Sequence, residues 1–238
     1  MSRPASLEAA KPLPGAENAG KPGYYIVKPG DRLIRIGLES GQAWRDLARW
    51  NSLDNPDLIE VGQVLRVAPP ASESVAVVTR PVAPGIVGIA PVQPASAAKP
   101  AVAPANGPAA ATSAGDEDVG WIWPAQGTLV ASFDEAKNKG LDISGKSGDP
   151  VVASADGRVV YSGAGLRGYG NLIILKHNNT FLTAYAHNKA LLVKEDQTVK
   201  KGQKIAEMGN SDADKVKLHF EIRRQGKPVD PAKYLPAR

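Results

Sequence analysis

The stretch Lys217-Leu218-His219-Phe220-Glu221-Ile222-Arg223 alternates polar and apolar side chains along its whole length. Because successive side chains of a strand point to opposite faces, Lys217, His219 and Glu221 share one face, and the apolar residues share the core side. Further strand-like segments cover residues 150–153, 157–161, 172–177 and 181–187, with hairpin-type turns at Asp156-Gly157 and Asn178-Asn179. The pattern predicts a mainly antiparallel β domain over residues 119–238.

A small α+β unit is predicted over residues 23–68. A strand over 24–28 ends at the Pro29-Gly30-Asp31 turn, and Asp31 is expected to cap the helix that carries Leu33 and Leu38. Gly41 ends that helix, a second helix covers 43–50, and a strand covers 64–67. The order strand-helix-helix-strand defines the topology of this unit.

The composition of the other segments predicts disorder. Residues 68–115 hold nine Pro, fifteen Ala, three charged residues and no aromatic residue. Proline at this frequency removes hydrogen-bond donors and blocks helix continuation, and there is little bulky side chain to bury. We therefore expect an extended Pro/Ala-rich linker over 69–118 and a disordered N-terminal segment over 1–22.

Composition also excludes several classes of function. The 238-residue chain has no Cys, which excludes a disulfide scaffold, a Cys zinc finger and a Cys nucleophile. Its net charge of +5 is spread along the chain, and so we expect no nucleic-acid partner. No stretch approaches the roughly 18 apolar residues of a membrane span, and the first ten residues lack the apolar core of a signal peptide.

Residues 23–68 resemble the LysM domain. The resemblance rests on Tyr25 to Asp31, on Asn55-Pro56 and on Gly62 to Val67. LysM modules bind N-acetylglucosamine-containing glycans such as peptidoglycan. The resemblance implies a shallow glycan-binding groove lined by Gly30, Asp31, Arg32, Leu33, Asn55, Pro56 and Ile59. Turn and cap chemistry accounts for Gly30, Asp31, Asn55 and Pro56 equally well, and both interpretations stay open.

Residues 119–238 resemble the LytM or lysostaphin-type zinc metallopeptidases, which cleave peptidoglycan cross-bridges. The matching motifs include Lys139 to Ile143, Tyr185-Ala186-His187 and Leu218 to Arg223. Active members bind zinc through a His, an Asp four residues later and the second His of a His-x-His strand. Here Asp142, His187 and His219 are retained, but Asn138 stands at the first ligand position and Lys217 replaces the first His of the strand.

These two replacements predict a groove without catalysis. An Asn carbonyl is a weak ligand for Zn²⁺, and an ammonium group close to a dication is repelled. We therefore expect no metal, no cofactor and no catalytic residue in a degenerate groove formed by Asn138, Asp142, His187, Lys217 and His219. Our hypothesis is that the Lys217 ammonium partly replaces the metal beside Asp142. The alternative is that Lys217 and Asn138 simply point into water.

The combination of LysM, linker and degenerate LytM domain resembles the NlpD-like envelope lipoproteins. The resemblance implies a non-enzymatic activator of a periplasmic zinc N-acetylmuramoyl-L-alanine amidase, acting in septal peptidoglycan splitting and daughter-cell separation. It also implies a monomer that binds peptidoglycan glycan strands and is held at the inner leaflet of the outer membrane by a lipid anchor. The chain shows no lipid-attachment Cys, and we expect Met1 to replace the native start just past it.

Two alternative functions remain open. A peptidoglycan hydrolase with residual, metalloendopeptidase-like activity would use Asp142, His187 and His219. A passive cell-wall-binding protein would bind glycan without changing the rate of any hydrolase.

Overall fold

The computed structural model describes residues 13–70 and 119–237, and most of the predicted linker lies outside them. The N-terminal unit consists of β1 (Tyr24–Ile26), α1 (Leu33–Ser40), α2 (Trp44–Trp50) and β2 (Val64–Arg66). Strands β1 and β2 pair antiparallel. The core of the unit is made of buried side chains from all these elements and their flanks: Val27, Leu33, Ile36, Leu47 and Leu65. The predicted strand-helix-helix-strand fold is confirmed.

One local prediction for this unit is wrong. Arg32, not Asp31, occupies the N-cap position of α1, and it makes no side-chain cap hydrogen bond. The Asp31 carboxylate instead closes the preceding turn, where it accepts hydrogen bonds from the Tyr25 hydroxyl at 2.8 Å and the Lys28 amide at 2.9 Å. Within the segment predicted to be disordered, Ala16–Asn18 form a 3-10 helix, and the Val64 amide donates to the Pro14 carbonyl. Residues 1–12 lie outside the described part.

The second domain is mainly antiparallel β, as predicted. Strand β11 (Lys217–Arg224) pairs on one side with β4 (Leu141–Ser144) and on the other with β8 (Phe181–Leu191), and β8 continues through β7 (Asn171–Lys176) to β6 (Gly157–Gly163). In the N-terminal unit, Gly41 ends helix α1 in the left-handed backbone conformation, as the sequence predicts. None of the helices in the two described ranges has the length and apolar character that a membrane crossing requires.

The strands of the second domain are β3 (Leu129–Ala131), β4 (Leu141–Ser144), β5 (Pro150–Val152), β6 (Gly157–Gly163), β7 (Asn171–Lys176), β8 (Phe181–Leu191), β9 (Thr198–Val199), β10 (Lys204–Met208), β11 (Lys217–Arg224) and β12 (Lys227–Val229).

The two faces of this sheet have different compositions. Leu218, Phe220 and Ile222 are fully buried in the main core, as the alternation in β11 predicts. On the opposite face, strand register places Asp142 beside His219, and His219 beside Ala186. We call this opposite face the site face. Its polar half lies on β4 and β11 (Asp142, Lys217, His219, Glu221, Arg223), and its apolar half lies on β6, β7 and β8 (Tyr161, Leu172, Ile174, Leu182, Ala184, Ala186).

The LysM unit packs on the apolar half of the site face. Leu38 of α1 is buried in one cluster with the six side chains of that half, and Ile34 and Trp44 pack against the cluster. The two units therefore have separate cores and share a third cluster between them.

Candidate functional site

The carboxylate of Asp142 is the centre of the polar half. One oxygen accepts a hydrogen bond from the Lys217 ammonium at 2.7 Å, and the other lies 2.7 Å from Nδ1 of His219. The pairing follows from register, because β4 and β11 place Asp142 directly opposite His219, and Lys217 two residues away on the same face. The hypothesis that Lys217 lies beside Asp142 is confirmed in this geometry.

A second carboxylate continues the network into the domain. Nε2 of His219 lies 3.1 Å from Oε1 of Glu221, and this oxygen also accepts from the Tyr169 hydroxyl at 2.8 Å. The other oxygen of Glu221 accepts from Nε of Arg223 at 2.7 Å. Glu221 is fully buried and Arg223 is 2% exposed, so both charges depend on these partners. The network therefore links Lys217 at the surface to Arg223 in the interior.

Electrostatics favour the charged forms of Asp142 and His219. Burial alone would raise the pKa of Asp142, but hydrogen bonds from His219 and Lys217 lower it to about 2. Burial alone would lower the pKa of His219, but the bonds to Asp142 and Glu221 raise it. Both ring nitrogens of His219 face carboxylate oxygens, which only accept, so both donate and the ring is an imidazolium ion.

His187 lies at the border between the two halves and adopts an unusual backbone conformation. Its φ is 65°, in the left-handed region, and the pairing of β8 with β7 and with β10 shifts register close to it. Its Nδ1 lies 2.8 Å from the Ser211 carbonyl oxygen, and its ring centroid lies 6.1 Å from that of His219. Burial lowers the pKa of His187, as do the nearby charges on His219 and Lys217. His187 is consequently neutral beside a protonated His219.

Asn138 belongs to the same groove but not to the network. Its side-chain amide donates to the Ser132 carbonyl at 3.0 Å, and its backbone is paired with Asp134. Asn138 lines a cleft of ≈ 250 Å³ together with His187 and His219. A neighbouring cleft of ≈ 540 Å³ is lined by Asp142, His187 and Lys217. The five predicted groove residues are therefore brought around two adjoining clefts, and three of them are directly bonded.

Sequence reasoning missed Tyr169, Glu221 and Arg223 as members of the site. Glu221 and Arg223 share a strand face with Lys217 and His219, and this alternation was the available signal. Tyr169 lies in the glycine-rich loop between β6 and β7, where no periodic pattern indicates the direction of a side chain.

The donor atoms of this groove do not fit a zinc ion. Both Asp142 oxygens and both His219 nitrogens are engaged within the network, and the Asn138 amide is turned to the backbone. Among the described residues there is no group of three or more His, Cys, Asp or Glu side chains placed to hold a metal. The Lys217 ammonium already neutralises Asp142, the one carboxylate retained from the expected ligand set.

The LysM unit has its own cleft, of ≈ 400 Å³, lined by Asp31, Arg32, Pro56, Asp57 and Ile59. Four of the seven predicted glycan-binding residues therefore lie together. Leu33 does not, because it is 2% exposed and packs in the LysM core. Gly30 has φ 84° in a turn, and the Asn55 side chain accepts from the Asp57 amide, which are turn roles.

Comparison with known proteins assigns a family to each domain. Residues 25–68 match the LysM domain, and residues 136–231 match peptidase family M23. A lipoprotein NlpD/LppB homolog from Pseudomonas aeruginosa is 47% identical over 242 residues, covering 91% of this chain and 78% of the relative. The murein hydrolase activator NlpD of Escherichia coli is 39% identical over 257 residues, covering 90% of this chain and 68% of the relative.

Among solved structures, a zinc-containing peptidase from Vibrio cholerae is 29% identical, with a TM-score of 0.44. The alignment covers 46% of this chain and 38% of the peptidase.

Proposed function

The chain belongs to the NlpD/LppB family, and we propose that it is a non-enzymatic activator of a peptidoglycan hydrolase. The specific target in this proposal is a periplasmic zinc N-acetylmuramoyl-L-alanine amidase that splits septal peptidoglycan as daughter cells separate. Family membership supports this proposal, since relatives in Escherichia coli and Salmonella are named murein hydrolase activators.

The closed ion network around Asp142 is the observation that carries the non-enzymatic part of the proposal. A catalytic zinc centre needs three protein ligands and an open position for water. Here Lys217 and His219 take both oxygens of the one retained carboxylate. The arrangement leaves neither a free Asp142 oxygen for a metal nor a neutral imidazole base at His219.

In this proposal the groove binds the amidase instead of hydrolysing a peptide. Asn138, Asp142, His187, Lys217 and His219 surround the two clefts of ≈ 250 and ≈ 540 Å³ and are the candidate contact residues. Activation requires that this groove bind the open amidase more tightly than the closed one, because a ligand shifts an equilibrium only by its differential affinity. The amidase, and not this chain, supplies the catalytic zinc.

The LysM unit localises the activator on peptidoglycan in this proposal. Its cleft combines backbone turns with the apolar side chains of Pro56 and Ile59, a surface suited to a neutral sugar. Relatives are named lipoproteins and outer membrane antigenic lipoproteins, which supports attachment to the envelope. We place the protein in the periplasm, as a monomer at the inner leaflet of the outer membrane, with the linker setting its reach.

A dye-release assay on purified peptidoglycan tests the proposal. Three reactions are compared: amidase alone, this protein alone, and both together. We expect the mixture to release dye at least five times faster than the amidase alone. This protein alone should release no dye. Chelator-sensitive release by this protein alone would support a residual hydrolase, and glycan binding without a change in amidase rate would support a passive wall binder.

A pair of variants tests the groove as the contact surface. Asn138→Glu places a charge in the smaller cleft on a half-buried side chain that lies outside the ion network, so we expect the fold to be retained. We expect it to lower activation by at least three-fold. Lys233→Gln changes the net charge equally in the 3-10 helix Pro231–Lys233, which lines neither cleft, and should leave activation unchanged.

A further inference from the structure

The LysM unit covers half of the face on which the candidate site lies. Strand register makes that face continuous from Asp142 through His219 and Ala186 to the apolar side chains on β7 and β6. Leu38 of α1 is 3% exposed because it packs among those apolar side chains. Arg35, Leu38 and Glu39 of the same helix line the smaller cleft together with His187 and His219. One wall of the proposed partner groove is therefore built by the LysM unit.

The rim of this interdomain contact consists of polar pairs. Arg45 of α2 forms ion pairs with Glu195, at 2.6 Å, and with Asp196. The Lys176 ammonium donates to the Gln42 side chain at 3.1 Å. The side chains of Arg45 and Asp196 are both 51% exposed, and exposed ion pairs contribute little, about 0–1 kcal/mol each.

The composition of the contact between the LysM unit and the second domain favours reversible docking. The LysM core does not depend on Leu38, which belongs to the interface cluster. Each unit also has its own core, so separation leaves both cores intact. Interfaces between domains of one chain resemble transient ones, and relative motion is their ordinary behaviour. The 48 residues between 70 and 119 reach as far as ~160 Å when extended, so the connection permits separation.

We propose that the LysM unit is a displaceable cover on the site face, which a hydrolase partner must lift to reach the whole groove. The proposal rests on the proposed function for the identity of that partner. While the cover is docked, α1 occupies the apolar half, whereas the cleft around Asp142, His187 and Lys217 is bounded by the second domain alone. Docking of the partner and docking of the LysM unit are then mutually exclusive on the apolar half.

Arg32 connects this cover to glycan binding. Its guanidinium donates to the Gly165 carbonyl at 2.9 Å across the interface, and the same side chain lines the proposed glycan cleft. A glycan that takes Arg32 as a hydrogen-bond donor removes this contact from the interface. Binding to the wall and lifting of the cover are thereby coupled, and by linkage each favours the other.

A cross-linking experiment tests the cover directly. The chain has no Cys, so Gln42→Cys with Lys176→Cys gives a unique thiol pair at two positions whose native side chains touch across the interface. A short bismaleimide then locks the two units together. We expect the locked protein to activate the amidase at least five-fold less than the same double variant without cross-linker. Equal activation by the locked and unlocked forms would overturn the proposal.

Leu38→Asp and Arg45→Glu provide the opposite change, since they open the contact without altering the LysM core. We expect both to slow cross-linking of the thiol pair by at least five-fold and to reach half-maximal activation at lower protein concentration. Unchanged cross-linking in both variants would contradict the docked arrangement.

The rate of cross-linking also separates this proposal from the proposed function. A saturating N-acetylglucosamine oligosaccharide should slow cross-linking at least three-fold, and no amidase is needed for this measurement. If no form activates the amidase but glycan slows cross-linking, the proposed function fails and the cover is retained. If all forms activate equally and glycan changes nothing, the cover is refuted while the proposed function is retained.

Discussion

At residue 217, an ammonium group determines which partner Asp142 binds. A neutral His beside a metal leaves the carboxylate to the metal, whereas Lys217 donates to it directly at 2.7 Å. His219 takes the second oxygen and is held protonated by Asp142 and Glu221. The site is thus stabilised by charges of the protein itself.

Restoring both imidazoles should create a zinc site. We expect Asn138→His with Lys217→His to bind Zn²⁺ at least 10-fold more tightly than the unaltered chain, since three ligands are then available and the competing cation is gone. Titration calorimetry with zinc chloride measures this. Asn138→His alone is the control and should gain little, because Lys217 still holds Asp142. Tight zinc binding by the unaltered chain would contradict the account of the groove given above.

The raised pKa of His219 predicts that stability falls in alkaline solution. Burial opposes the shift, but Asp142 and Glu221 raise the pKa from 6.5 to about 9. A raised pKa contributes stability fully below pH 6.5, and the contribution is lost as pH rises through about 9. We expect the free energy of unfolding to fall by about 1–3 kcal/mol over this interval. Urea denaturation at several pH values should show the slope, and His219→Gln should remove it.

At the scale of elements, alternation predicted the central strands well and the short ones poorly. Strand β11 was predicted because polar and apolar side chains alternate along it, and residues 181–187 of β8 were predicted from their strand-favouring residue types. Strands β3, β4, β9, β10 and β12 have only two to five residues, too few for a period to stand out. The left-handed φ at His187 could not be predicted, since it arises from pairing with two neighbouring strands.

The hairpin at Gly226 allows close approach between the two units. A Cβ atom at this position would lie 2.0 Å from the Glu39 carbonyl oxygen, which no small adjustment relieves. We expect Gly226→Ala to separate the units, seen as a larger radius of gyration in X-ray scattering. Gly148→Ala is the matched control, because Gly148 also has a positive φ, 96°, but no atom within 4 Å of the added carbon. Both variants should lose about 1 kcal/mol of stability from backbone strain. An equal radius of gyration for the two would count against a direct contact at Gly226.

At the scale of the whole molecule, the two domains could be predicted but their contact could not. The unbroken apolar run Leu172 to Leu175 indicates a strand buried on both faces, yet it does not say what covers the second face. The sequence pattern of α1 predicts Leu38 to be a core residue of the LysM unit. In the structure it packs instead in the cluster shared by the two units. The predicted domain limits at 22/23, 68/69 and 118/119 stay predictions.

Opening the contact should expose the apolar half of the site face to solvent. We expect Leu38→Asp to increase the fluorescence of an added anilinonaphthalene sulfonate dye at least two-fold, because six apolar side chains lose their cover. Leu58→Asp is the matched control, since Leu58 is already 72% exposed and should change nothing. Similar fluorescence for the two variants would show that the apolar half stays covered without Leu38.

The register between β8 and β11 also determines which changes in chain length this molecule can survive. Deleting one residue inside β11 would shift its pairing register with β8 by one residue. Every later side chain of the strand would then point to the opposite face, so that charged side chains would enter the hydrophobic core and aliphatic ones would face the solvent side. A substitution in β11 changes one side chain, whereas an insertion or deletion moves every later side chain of the strand to the opposite face. A length change in the segment 210–216, which lies between β10 and β11 outside any strand, keeps this register but displaces the Ser211 carbonyl that contacts His187.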